Sequence, residues 1–72
     1  MLVELQIARL RKGFKQYEVA DKLTELGFRV SHSKYSKVEA GTIIPMKAEQ
    51  VAIAELLGVD VSLIWEDGND GG

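Results

Sequence analysis

Residues 30–41 read Val-Ser-His-Ser-Lys-Tyr-Ser-Lys-Val-Glu-Ala-Gly, and this stretch decides how the chain is organised. Ser31 is a favourable N-cap because its hydroxyl can accept a backbone N–H from the first turn of a helix. Gly41 is a typical stop, since glycine readily takes the left-handed conformation that ends helices. Within the helix that Ser31 caps, only Tyr35 and Val38 suit a core, and the opposite side is small, polar and basic. The stretch therefore predicts a short helix with one buried and one exposed side.

Two further helices are predicted before this segment. Residues 2–12 form the first, which ends at Gly13, and residues 15–26 form the second, which ends at Gly27. The first is expected to present one broad apolar face made by six residues: Leu2, Val3, Leu5, Ile7, Ala8 and Leu10. The second places its apolar residues at three- and four-residue spacing: Val19, Ala20, Leu23 and Leu26.

Two more helices are predicted after it. Pro45 precedes or opens the fourth, which ends at Gly58, and Asp60 is the expected cap of a short fifth helix. The apolar residues assigned to them are Ile53, Ala54 and Leu57, then Val61, Ile64 and Trp65. Sustained alternation of period two is absent, so strands are not expected. The sequence predicts an all-α domain of five helices over residues 1–65 and a flexible acidic tail over residues 66–72.

Composition limits what such a chain can do. Its 72 residues can build one modest core, since a domain of about 60 residues buries only about 60% of the surface that its unfolded form exposes. With no cysteine and a single histidine, the chain cannot form a disulfide or a thiolate zinc site. No catalytic motif, phosphate loop or carboxylate pair is evident. We therefore expect a cytoplasmic, non-enzymatic protein without metal, cofactor or membrane span.

Charge is distributed unevenly along the chain. Residues 1–47 carry all nine basic groups and five acids, whereas residues 48–72 carry six acids and no base. This split is typical of a protein with one basic working face, although scattered solvated charges would produce it too. The basic residues expected near phosphates, informative only as a cluster, are Arg11, Lys12, Lys15, Lys34 and Lys47.

The exposed side of the third helix is suited to reading DNA. An α-helix fits the major groove, and side chains in its first two turns can reach base edges. The residues expected there are His32, Ser33, Ser36 and Lys37. Serine and histidine can bond to several bases, and lysine can donate to guanine. The alternative is a solvated face on an ordinary helical bundle.

Residues 9–58 resemble the Cro and phage-repressor type of helix-turn-helix domain, also called the xenobiotic-response-element type. The resembling segments are residues 9–16, 18–23, 30–41, Pro45 and residues 53–59. The most specific of these segments is residues 30–41. Its serine cap, its inward apolar residues, its glutamate and its closing glycine are spaced as they are in the family. The resemblance implies a compact five-helix, lambda-repressor-like DNA-binding domain.

The resemblance also implies roles for individual residues. Ser31 would cap the recognition helix and touch a phosphate, and Gln16 would contact a phosphate and brace that helix. Arg9 and Glu39 match a pair that in the family joins the first and third helices. The chain departs from the pattern in three places: a longer second helix and turn, Ala40 in place of a phosphate-binding side chain, and an apolar loop over residues 42–45.

The apolar loop leaves two interpretations open. Either Ile44 closes the core beneath the loop, or Ile43 or Ile44, together with Val61 and Trp65, forms part of a two-fold dimer contact. The function expected from the whole sequence is a sequence-specific regulator of transcription, repressor-like, that binds a pseudo-palindromic operator as a homodimer. The alternative is a protein-interaction module of the same fold, antitoxin-like or an adaptor.

Overall fold

A computed structural model describes residues 2–65 of the chain, which form five α-helices and no strand. They are α1 (Val3–Lys12), α2 (Gln16–Glu25), α3 (His32–Ala40), α4 (Lys47–Leu57) and α5 (Val61–Ile64). The all-α fold class and the order of the five helices are confirmed. The predicted tail over residues 66–72 lies outside the described residues.

The two ends of α3 explain why it spans nine residues. The Ser31 hydroxyl accepts the backbone N–H of Lys34 at 3.1 Å, which satisfies one orphan donor of the first turn. At the other end Gly41 takes a left-handed conformation with φ of 84°, and its N–H bonds back to the Val38 carbonyl. A side chain at this position would strain the backbone, so glycine stops the helix here.

A single core lies where all five helices meet. Its fully buried residues come mainly from α1, α2, α3 and α4: Leu5, Val19, Leu23, Tyr35, Val38, Ile53 and Leu57. Trp65, just after α5, belongs to the same core. The most extensive packing between two helices joins α2 to α3, and α4 packs against the same pair through its contacts with α2. The pair formed by α2 and α3 therefore packs against the rest of the domain through α1 and α4.

The prediction of one broad apolar face on α1 is wrong. Leu5 and Ala8 are buried, but Val3, Ile7 and Leu10 are exposed. At 3.6 residues per turn, the six apolar positions are spread around the whole circumference of the helix. Because α3, α4 and α5 cover only one side of it, the other apolar side remains open.

The interpretation of Ile44 as the residue that closes the core is also wrong. Ile44 is 78% exposed, and its neighbour Ile43 packs against the core instead. The N–H groups of Thr42 and Ile43 both bond to the Lys37 carbonyl, which wraps the chain tightly around the end of α3. The following residue therefore projects outward before the chain reaches α4.

The connection between α2 and α3 is long, and a hydrogen bond from Thr24 holds its end against α2. Six residues, 26–31, separate the two helices. The Thr24 hydroxyl lies 3.0 Å from the Ala20 carbonyl and 3.1 Å from the Val30 carbonyl. Phe28 packs against the core and Val30 is buried in it. The long turn is thus attached to the core at several points.

Candidate nucleic-acid interface

The outward side of α3 carries the residues that the sequence assigned to base reading. His32, Ser33 and Lys37 are exposed, and Ser36 between them is half-buried. Tyr35, Val38 and Glu39 lie on the inward side and are buried. All four outward residues fall within the first two turns, so they form one continuous surface about 8 Å long.

The beginning of α2 lies beside the beginning of α3. The rings of Tyr17 and His32 meet edge to face, with their centroids 6.4 Å apart. Both side chains are exposed, so the pair forms part of the same surface as Ser33. Sequence reasoning missed Tyr17, because an aromatic residue in the first turn of α2 gives no signal of a neighbour 15 positions away.

A buried cluster of polar groups holds α3 from inside. Glu39 is 1% exposed and accepts a hydrogen bond from Arg9 Nε at 2.6 Å and another from Arg9 Nη2 at 3.3 Å. Gln16 Nε2 donates to the same carboxylate at 2.9 Å. Arg9 also donates to the Phe14 carbonyl at 2.9 Å. One carboxylate on α3 thus binds both α1 and the first residue of α2.

Tyr35 lies close to this cluster. Burial raises the pKa of the Tyr35 phenol above its ordinary value of about 10, and the nearby Glu39 carboxylate raises it further. Its hydroxyl has no hydrogen-bond partner among the described residues. The phenol therefore stays protonated over the whole range in which the protein would bind DNA.

The residues assigned to phosphates occupy different environments. Lys15 and Ser31 are exposed, whereas Gln16 is half-buried by its bond to Glu39. Lys34 Nζ lies 3.3 Å from a Glu49 oxygen and 3.4 Å from the Arg29 carbonyl. Sequence reasoning missed Glu49, which is buried although it stands in the exposed-looking first turn of α4.

A groove of about 330 Å³ opens beside the end of α3. The residues that line it are mostly apolar: Leu2, Gly41, Ile43, Ile44, Gln50, Ile64 and Trp65. Buried Gln50 donates from Nε2 to the Pro45 carbonyl at 3.0 Å, but its Oε1 has no partner among the described residues. Of the four residues named for a dimer contact, three line this groove, and Val61 packs half-buried against the core nearby.

Other kinds of site receive no support from the described part of the chain. Within residues 2–65, no group of three His, Cys, Asp or Glu side chains is placed to hold a metal ion. No helix in that range is both long enough and apolar enough to span a bilayer.

The pair formed by α2 and α3, with the second helix turned outward and tied to α1, agrees with what the comparisons with known proteins show. No curated protein and no solved structure matches the chain significantly. A family model described as a helix-turn-helix domain matches residues 2–64, which is most of the chain. Such domains are typical of DNA-binding regulators and are not typically enzymes. The chain belongs to the helix-turn-helix domain family.

Proposed function

We propose that this protein is a sequence-specific regulator of transcription that inserts α3 into the major groove of double-stranded DNA and acts as a repressor. The observation that carries the proposal is the outward side of α3, where small and basic side chains project from a helix whose inward side is fixed by Glu39. A reading helix must be both accessible and held in place, since discrimination between bases depends on accurate hydrogen-bond geometry.

Each outward residue has a suitable role against base edges. Lys37 can donate to guanine O6 and N7, a contact worth about 1–3 kcal/mol of discrimination when well placed. Ser33 and Ser36 can donate or accept, and their short side chains let the helix approach the bases closely. His32, supported by Tyr17, stands at the first position of the helix.

Phosphates on either side of the groove would position the helix. Exposed Lys15 supplies a positive charge that has no ion-pair partner among the described residues, and Ser31 lies next to the N-terminal amides of α3, where anions bind favourably. Gln16 retains its amide oxygen and one N–H beyond its bond to Glu39. Lys34 retains one N–H of the three on its ammonium group, although Glu49 offsets its charge.

Two copies would bind a pseudo-palindromic operator. A single module of this size contacts too few base pairs to select one genomic site, whereas two half-sites about 34 Å apart double the sequence that is read. The proposed contact between the copies is exposed Ile44, with Ile43 and Trp65 in the adjoining groove and half-buried Val61. Burial of exposed Ile44 and of the open apolar lining of the groove would supply the association free energy.

The test replaces Ser33 by glutamate. Ser33→Glu is expected to abolish binding, since it places a carboxylate against the phosphates, while the exposed site leaves the fold intact. Val51→Glu, which adds the same carboxylate at an exposed position of α4 outside both the outward side of α3 and the proposed contact between copies, is the control and should bind as the parent does. Fluorescence anisotropy with duplexes selected from a random pool measures affinity, and circular dichroism checks the fold. Undiminished binding by Ser33→Glu would exclude insertion of α3.

A protein-interaction module of the same fold is the second candidate. Two observations favour it: Glu49 offsets the charge of Lys34, and Ile44 offers an apolar group beside the end of α3. Salt dependence separates the two functions. Binding to DNA should weaken with a log–log slope of about −0.9 for each neutralised phosphate, whereas an apolar protein interface would respond little to salt.

A further inference from the structure

The outer side of α1 is an apolar stripe without a partner in the described chain. Val3, Ile7 and Leu10 stand four and three residues apart, so they lie in one line over about 10 Å of helix. All three are exposed, and Leu10 is 65% exposed. The stripe lies opposite Leu5 and Ala8, the residues that α1 buries, so it faces away from the core and from α3.

We propose that this stripe is a self-association surface, on which α1 of a second copy packs in antiparallel orientation about a two-fold axis at Ile7. In that register each side chain on the N-terminal half of the stripe contacts a side chain on the C-terminal half of the partner's stripe. The contact is isologous, since both copies use the same patch.

The shape of the surface fits this register. A groove of about 190 Å³ lies at the start of α1, between Val3 and Leu63 of α5. With the axis at Ile7, Leu10 of the second copy comes within about 2 Å, measured along the helix, of Val3. Leu10, the most exposed side chain of the stripe, therefore lies over the groove of the other copy. The two-fold axis makes this contact twice.

The charges beside the stripe fit the same register. Glu4 and Arg11 flank the same edge of α1, one near each end, and both are exposed. Neither has an ion-pair partner among residues 2–65. An antiparallel partner places its Arg11 beside Glu4 and its Glu4 beside Arg11, whereas in a parallel pair both charges would lie beside the partner's opposite edge and would gain no ion pair. The opposite edge of the stripe carries only Gln6, which is uncharged and so adds no repulsion in either the antiparallel or the parallel orientation.

Residues 66–72 do not provide an alternative occupant. Residues 66–72 read Glu-Asp-Gly-Asn-Asp-Gly-Gly and contain no apolar side chain that could cover the stripe. A second copy supplies both an apolar side chain, Leu10, and the complementary charges of Glu4 and Arg11. If the proposed DNA binding holds, this contact would link chains bound at neighbouring operators, because it leaves the outward side of α3 open.

A single introduced cysteine tests the register, since the chain has no cysteine of its own. On the axis, the two Ile7 Cα atoms would lie about 4–6 Å apart, within the range of a disulfide. Ile7→Cys should therefore form a covalent dimer under mild oxidation about tenfold faster than Leu26→Cys, whose side chain is exposed on another part of the surface. Val3→Cys should be slow as well, because its two copies would stand about 12 Å apart along the helices.

A charge exchange provides the second arm. In the Ile7→Cys background, Glu4→Arg or Arg11→Glu alone should slow the cross-linking several-fold, and the two together should restore it. Ile44→Asp should leave the cross-linking rate unchanged, which separates this contact from the dimer proposed beside the DNA. Equal rates for Ile7→Cys and Leu26→Cys would overturn the proposal, and so would a double exchange that fails to restore the rate. Neither readout involves DNA, so failure here would leave the proposed function standing.

Discussion

The two sides of α3 differ in what holds their side chains in place. On the inward side, Glu39 receives three hydrogen bonds from two other helices, and Tyr35 and Val38 are fully packed. On the outward side, His32 has one ring contact, and exposed Ser33 and Lys37 have no side-chain partner among the described residues. Nine residues thus combine a fixed half, which sets the position of the helix, with a free half available to a ligand. Changes to the inward side should cost stability, and changes to the outward side should cost binding.

The largest effect is expected from Glu39→Ala. This change leaves Arg9 partly buried without its carboxylate and removes the acceptor of Gln16, so unfolding should become easier by about 3–5 kcal/mol. Chemical denaturation followed by circular dichroism measures the loss. Glu55→Ala, which removes an exposed carboxylate on α4, is the control and should change stability by less than about 0.5 kcal/mol. Equal losses for both variants would mean that the cluster does not fix the helix.

An intermediate effect, confined to binding, is expected from Lys37→Ala. Affinity for the selected duplex should fall by about 1–3 kcal/mol, with relaxed preference at one base pair and unchanged stability. Lys15→Ala should instead weaken binding equally on selected and random duplexes and reduce the salt slope by about 1. Anisotropy titrations on both duplexes distinguish the two results. A uniform loss for Lys37→Ala would reassign it to a phosphate.

The inward side of α3 was predictable because local rules determine it. A serine cap, a closing glycine and two apolar residues three apart were enough to predict its length and its buried side. The same rules placed Pro45 before or at the start of α4, and in the structure it stands one residue before Met46, the N-cap of that helix. Local signals therefore located the helices to within about two residues.

Features that depend on neighbours distant in sequence were not predictable. Nothing in the sequence told which side of α1 would be covered, so the exposure of Val3, Ile7 and Leu10 was missed. Glu49 looked like a solvated carboxylate, yet packing of α4 buries it beside Lys34. Ile43 and Ile44 are identical residue types in adjacent positions, and only the turn after α3 decides which of them is buried.

A smaller effect is expected at Lys34, on the border between the two sides. Because Lys34 is about one-third exposed, Lys34→Ala should lower stability by no more than about 1 kcal/mol. Its salt slope for DNA should fall by less than that of Lys15→Ala, since Glu49 already offsets the charge. Parallel titrations of the two variants at several salt concentrations measure this. An equal fall would show that the phosphate displaces Glu49.

The smallest effect at neutral pH is expected from Tyr35→Phe. The buried phenol has no hydrogen-bond partner in the described chain, so its removal should change stability by less than about 1 kcal/mol. The pH dependence is more informative. Burial raises the pKa of Tyr35, so the folded chain keeps a proton that the unfolded chain releases above about pH 10. The stability linked to this group is therefore complete below pH 10 and is lost as the pH rises further.

Above pH 10 the parent protein should consequently lose stability more steeply than Tyr35→Phe, by up to about 1.4 kcal/mol for each pH unit. The difference between the two proteins isolates this one phenol, because they are identical at every other position. Tyr17→Phe removes an exposed phenol and should follow the parent. Denaturation series between neutral pH and pH 11 provide the comparison. If stability falls with pH equally in the parent and in Tyr35→Phe, water reaches the inward side of α3. The two sides of the helix would then differ in their side-chain contacts but not in their exposure to solvent.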